Sequence, residues 1–194
     1  MKSTSHVAVG FPSIRCVFVD RDGVINRKAA EGKYINKWDE FELLPGVEDA
    51  IGKLNRRQFH VVIISNQRGI ALGLSTAEAV ENLQEQLQRH LAAYGAHVDA
   101  FYYCPHDEGE CDCRKPATGL LKRAARDFRD VTPETSVFIG DSLSDIEAAI
   151  NFGCWSIFVQ GDPATRKRGS ETAEVLADAL ARSLPEAVDL LLQP

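Results

Sequence analysis

The chain has 194 residues, 44% of them hydrophobic and 26% charged, with a formal net charge of −6. That balance fits a globular protein long enough for one good core. Its acidity argues against a general nucleic-acid binder, which carries a basic field, although a local cationic pocket for an anionic ligand remains compatible with it. No apolar run approaches membrane-spanning length, and Met1 to Ile14 shows neither a continuous apolar segment nor a small-residue cleavage pattern. The expectations are therefore a cytoplasmic location with no membrane and no nucleic-acid partner; a monomer is expected as the default.

After a loose lead-in, Arg15–Val19 predicts a first strand, apolar at successive positions as a buried parallel strand is. A polar loop, Arg27–Glu40, follows, and Pro45-Gly46 opens a helix with Val47, Ala50, Ile51 and Leu54 on one face. His60–Ile64 predicts a second strand. Ser75 or Thr76 caps a long helix, Ala77 to Tyr94, with Val80, Leu83, Leu87 and Leu91 as its apolar stripe. Val98–Tyr103 is a third strand, Thr118 to Phe128 a helix, Val137–Ile139 a fourth strand, Leu143–Phe152 a helix and Cys154–Val159 a fifth strand. Residues 160–172 read as a polar loop with a basic cluster, Arg166-Lys167-Arg168, then Ala173–Ala177 as a last strand and Pro185–Leu192 as a last helix. This alternation predicts an α/β protein, a three-layer Rossmann-like sandwich with a mainly parallel sheet.

The chemistry-bearing residues fall at predicted strand ends. The first strand stops at Asp20-Arg21-Asp22-Gly23, where open α/β sheets place their sites. Two carboxylates that close repel unless a cation lies between them or one stays protonated; Asp and Gly are also ordinary turn residues. Ser65 ends the second strand, and Gly140-Asp141 with Asp145 follows the fourth. Cys104, His106, Cys111 and Cys113 crowd one short loop. Three thiols and an imidazole suit a closed tetrahedral Zn²⁺ site, which staples a loop that has little core of its own. Carboxylates suit Mg²⁺, so two distinct metals are expected. Cys16 and Cys154 sit in apolar strands and read as small buried hydrophobes. Tyr34 and Trp38 either flank a substrate or pack the loop.

In order, Asp20-x-Asp22-Gly23-Val24, Ser65, Lys115 and Gly140-Asp141-x-x-x-Asp145 resemble the four motifs of the haloacid dehalogenase superfamily. The resemblance narrows at Asp20 to Asn26, at Ser65-Asn66-Gln67-x-Gly69-Ile70-Ala71-x-Gly73 and at the metal loop with Arg114-Lys115-Pro116. These look like the D,D-heptose 1,7-bisphosphate 7-phosphatases. The histidinol-phosphate phosphatases share the zinc loop and Arg-Lys-Pro, and a catalytically idle phosphosugar-binding module is the alternative from another class.

The resemblance implies a single phosphatase domain over residues 1–194, with its core at about 15–160 and its zinc loop at 104–113. The short gaps between motifs leave no room for a large cap domain. It implies Asp20 as nucleophile, Asp22 as general acid and base, and Ser65 and Lys115 on the phosphoryl oxygens. Mg²⁺ would be held by Asp20, Asp22 through its backbone carbonyl, and Asp141, while Asp145 positions Lys115 or completes the metal's outer shell. Asn66, Arg68, Arg114 and Lys115 would bind a small phosphorylated sugar.

Overall fold

The computed structural model describes residues 11, 13–30, 32–163, 166 and 168–193. Most of the lead-in and Lys167 of the basic cluster lie outside the described residues. The apolar runs become strands β1 (Cys16–Val19), β2 (His60–Asn66), β3 (Ala100–Cys104), β4 (Ser136–Gly140) and β5 (Trp155–Val159), with β6 (Ala179–Ala181) at one edge. All pair in parallel, in the order β3-β2-β1-β4-β5-β6. The helices between them are α1 (Val47–Arg56), α2 (Ala77–Ala93), α3 (Gly119–Asp127), α4 (Leu143–Phe152), α5 (Ser170–Leu176) and α6 (Leu184–Leu192).

Side-chain alternation decides the layers. Val17, Val19, Val61, Ile63, Val137 and Ile139 point to one face, where they pack with Ile51 and Leu54 of α1, Leu83 and Leu87 of α2, and Val188 and Leu191 of α6. Cys16, Phe18, Val62, Ile64 and Phe138 point to the other, against Leu120, Leu121 and Ala124 of α3 and Ala148 and Ala149 of α4. Each fully buried Leu or Phe contributes roughly 1.5–3 kcal/mol. Strands buried on both faces need no polar alternation, which is why they read as continuous apolar runs. The stripe on α2 is core, and Thr76 caps that helix, its Oγ1 accepting from the Ala79 N–H at 3.1 Å.

One element differs from expectation. Ala173–Ala177 is not a strand. Residues 170–176 form α5, and the strand is Ala179–Ala181. A strand would bury Ala173 and Val175 together, but Ala173 is buried against Ile146 and Phe158 while Val175 is 84% exposed. The burial of Ser170 with Ala173 follows helical spacing instead. Strand β6 has no β-branched residue; the ladder offered by Ile157, Phe158 and Val159 of β5 decides its state.

The chain runs outward from β1 through β2 to β3, then crosses to β4 on the opposite side of β1. The topological switch point, where such sheets open a crevice, therefore lies between the carboxyl ends of β1 and β4. Among the described residues, the segment from β1 to α1 holds the three-residue 3₁₀ turn Trp38–Glu40 and isolated bridges of Asn26 to Asp22 and Leu43, and no cap domain is inserted there or between β2 and α2. Among the described residues, no helix is long and apolar enough to cross a membrane.

Candidate active site

Asp20 leaves β1 at the switch point, its N–H donating to Ile139 O of β4 at 2.9 Å. Its Oδ1 accepts from Lys115 Nζ at 2.7 Å. The same ammonium reaches Asp145 Oδ1 at 2.7 Å and Ile64 O at 2.9 Å. Lys115 is 4% exposed. Burial works against its charge, but the Asp145 and Asp20 carboxylates outweigh that and hold it above the usual lysine range. Asp145 Oδ2 in turn accepts from the Ser142 N–H at 3.0 Å and the Ser142 hydroxyl at 2.6 Å.

Lys115 is fixed through its backbone as well. Asn66 Nδ2 donates to Lys115 O at 3.1 Å, and Lys115 N donates to Asn66 Oδ1 at 3.0 Å. The Asn66 amide, expected to bind substrate, is thus engaged at both ends in aiming Lys115. Ser65 is buried beside it, with its Oγ accepting from Gln67 Nε2 at 2.6 Å.

Asp22 points elsewhere than Asp20. Its carboxylate accepts from Arg21 Nη2 at 2.9 and 3.1 Å, Asn26 Nδ2 at 3.0 Å and Gln67 Nε2 at 3.1 Å. Desolvation opposes its charge, but the Arg21 guanidinium and these hydrogen bonds hold the carboxyl below the usual carboxylate range.

Asp20, Asp141 and Asp145 bring carboxylate oxygens within 4.8 Å of one another. Asp145 turns one oxygen to Lys115 and the other to Ser142, so Asp20 and Asp141, just past the ends of adjacent strands, are the pair that fits a hard divalent cation. Asp22 keeps its side chain outside this group. Lys28, from the Arg27–Glu40 loop, ion-pairs with Asp141. Gly23 makes this crowding feasible: its φ is +102°, and a Cβ there would run into both the Asp141 carboxylate and the Lys28 side chain.

The metal loop closes as its composition predicts. Cys104, His106, Cys111 and Cys113 offer ligand atoms within 4.8 Å of one another, with Sγ–Sγ separations of 3.2, 3.3 and 3.5 Å. A tetrahedral Zn–S bond length near 2.3 Å implies an S–S edge of about 3.8 Å, so the cluster needs only slight expansion to fit. Burial pushes the Cys104 and Cys113 thiols up. Cys111 is also disfavoured by burial, but hydrogen bonds from Cys113 and the Arg114 and Cys113 backbone bring it down to about 7. Three thiolates at this spacing repel, and a bound cation relieves that repulsion.

These elements border a cleft of about 830 Å³ whose lining includes Lys28, Lys33, Arg68, Arg114, Lys115 and Arg168 against Asp22, Glu108 and Glu147. A cationic pocket on a chain of net charge −6 is what an anionic ligand requires. Tyr34 lines this cleft, its ring packed so closely on Gly69 that a Cβ there would meet ring carbons at 2.6–2.9 Å. Trp38 instead stacks on Phe41, centroids 5.2 Å apart, as loop packing.

A family model described as polynucleotide kinase 3 phosphatase matches residues 15–175. The D-glycero-alpha-D-manno-heptose-1,7-bisphosphate 7-phosphatase of Mycobacterium bovis is 40% identical over 172 residues, covering 88% of each chain. The chain belongs to this family of haloacid dehalogenase-type phosphatases. This phosphatase is a phosphoric monoester hydrolase. It is also 36% identical to the D-glycero-beta-D-manno-heptose-1,7-bisphosphate 7-phosphatase of Escherichia coli K12, over 91% of this chain and 94% of that one. Its fold matches the crystal structure of D,D-heptose 1,7-bisphosphate phosphatase from B. bronchiseptica, complexed with magnesium and phosphate, with a TM-score of 0.80 and 31% identity over 93% of this chain and 99% of that one.

The carboxyl end of the sheet gathers Asp20, Ser65, Lys115, Asp141 and Asp145, and sets Arg68 and Arg114 at the wall of the cleft. Arg21, Asn26, Lys28, Lys33 and Gln67 are site groups that sequence reasoning passed over. The two lysines sit in a polar loop with no pattern of their own. Gln67 stands inside the Ser65 to Gly73 motif, where its proximity to Ser65 was the available signal.

Proposed function

We propose that this phosphatase, a single-domain monomer, removes the 7-phosphate of D-glycero-D-manno-heptose 1,7-bisphosphate through an aspartyl-phosphate on Asp20. The observation that carries the reading is the pair of guanidinium groups, Arg68 and Arg114, lining the same cleft as Lys115. A sugar with a phosphate at each end needs one anion site at the nucleophile and another at a distance. The names of the mycobacterial and enterobacterial relatives, 36–40% identical over most of both chains, support that substrate.

Mg²⁺, held by Asp20, Asp141 and the Asp22 carbonyl, would offset like charge between the phosphoryl group and the carboxylates. Asp20 attacks phosphorus, and the P–O bond to the sugar breaks. Lys115, aimed by Asn66 and Asp145, meets the phosphoryl oxygens together with Ser65. Asp22 protonates the leaving alkoxide, then takes a proton from the water that cleaves the acyl-phosphate, releasing phosphate and restoring Asp20. Such acid–base assistance contributes about 10²–10⁴-fold. The neighbours that keep Asp22 ionised suit it to the second step; the negative charge of an arriving phosphate favours its protonated form for the first. Zn²⁺ would be held by Cys104, His106, Cys111 and Cys113, and with four protein ligands its role would be structural.

The test compares kcat/KM for the α and β anomers of the bisphosphate and for histidinol phosphate. A preference of about tenfold or more for a heptose, about 1.4 kcal/mol, is expected and names the anomer. A preference for histidinol phosphate overturns the substrate. Asp20→Asn should abolish turnover with the fold intact, and near-normal activity in that variant ends the mechanism.

A further inference from the structure

Both guanidinium groups at the cleft wall lean on one carboxylate. Arg114 Nη2 lies 3.8 Å from Glu108 Oε1, and Arg68 Nη1 lies 3.8 Å from the same oxygen. Arg68 Nε also meets Asp107 Oδ1 at 2.5 Å. The two acids are held differently. Asp107 Oδ1 also accepts the Glu108 backbone N–H at 2.6 Å, and its side chain is 30% exposed. The Glu108 side chain is 71% exposed, and both its pairings are long. Ion pairs of that kind are individually weak, so a competing anion displaces Glu108 at little cost while Asp107 stays. Arg114 Nη1 is buried with no hydrogen-bond partner among the described residues. A guanidinium with an unmet buried donor beside a loosely held carboxylate is short of an acceptor, and a phosphate supplies several.

We infer that Glu108 is a specificity-determining plug: its carboxylate stands where a second phosphate of the substrate docks onto Arg68 and Arg114. This rests on the reading of the cleft as a bisphosphate site. With Glu108 in place, two arginines face two acids and the subsite is neutral. With Glu108 displaced, it carries one net positive charge and opens donors on both arginines. A free anion must displace the plug from solution, whereas a phosphate tethered to one already held at Lys115 does so at high effective concentration. Glu108 thus keeps the subsite closed to inorganic phosphate, the product of the reaction, and opens it to a molecule that brings both anions.

Fructose 1,6-bisphosphate and fructose 6-phosphate serve as probes, each as an inhibitor of aryl phosphate hydrolysis by the full chain. In Glu108→Gln the inhibition constant for the bisphosphate should fall about fivefold while that for the monophosphate holds, and adding Arg68→Ala should erase the gain. Inhibition constants that move together, or a ratio that does not change, overturn the inference. A merely structural role for Glu108 would shift both probes alike. Because neither probe is a heptose, failure here is separable from failure of the proposed substrate, which the heptose rate comparison reads alone.

Discussion

The Lys115 ammonium lies 2.7 Å from Asp145 Oδ1, and Asp145 is completely buried. Asp145, which is not the proposed nucleophile, is therefore a main anchor of the Lys115 ammonium. In Asp145→Asn the shape survives but the buried charge pair is cut. Losing one partner of such a pair costs about 3–5 kcal/mol, and the lower end applies because Asp20 still faces Lys115. The urea-unfolding midpoint should drop accordingly and kcat should fall about 100-fold. Unchanged stability would mean that Asp145 does not anchor the lysine.

Gly23→Ala tests the crowding at the carboxylate pair. A φ of +102° disfavours any L side chain, by roughly 1–2 kcal/mol in the left-handed region. The larger effect is local, because the new Cβ displaces the Asp141 carboxylate and Lys28. Calorimetric titration should show Mg²⁺ binding weakened at least about tenfold, with circular dichroism preserved. Wild-type Mg²⁺ affinity in the variant would remove Asp141 from the metal's ligands.

The strands and most of the site were legible because each rests on local composition. β1 and β4 are apolar runs that stop at aspartates, and the metal loop places four ligand-type side chains within ten residues, Cys104 to Cys113. What the sequence hid depends on distant partners. Lys28 acquires meaning from Asp141, and Asn66 from the backbone of Lys115, 49 positions away. β6 is three residues without strand propensity that pair because β5 presents an open edge. Ala173–Ala177 reads as a strand because it is short and partly apolar, a length at which periodicity does not separate strand from helix.

Tyr102 offers a pH-dependent check on the face of the sheet that carries α3. Its hydroxyl donates to Asp127 Oδ2 at 2.6 Å, and burial, then that hydrogen bond and the Asp127 charge, push the phenol up to about 12. The folded value lies above the unfolded one near 10, so the folded state favours the protonated phenol. Its contribution is complete below about pH 10 and is lost as the pH rises through about 12. The stability difference between wild type and Tyr102→Phe should shrink across that window. A difference that stays constant through it would place the Tyr102 titration at its ordinary value.

The Cys104–Cys113 loop gives the most direct test, because the proposed zinc ligands and Lys115, the proposed phosphoryl-binding lysine, share one short stretch of chain. Cys113 is followed at once by Arg114 and Lys115, and the Asp112 carbonyl accepts the Gly119 N–H at 2.9 Å, tying the loop to the start of α3. Little apolar burial holds the tip, since Glu108, Gly109 and Glu110 are exposed. Ordering is therefore expected to depend on a bound cation, whose release would leave three crowded thiols to repel or protonate. Elemental analysis should find one zinc per chain. Chelation, or Cys111→Ser, should lower Tm by about 6–12 °C, as expected for a loss of about 3 kcal/mol at this size. The activity should fall with the metal and return when zinc alone is restored. Magnesium should not substitute, because a hard cation is poorly matched to thiolate. A chain that purifies without zinc yet melts at the same temperature with or without chelator would show that hydrogen bonds among the thiols and His106 suffice to hold Lys115 in place.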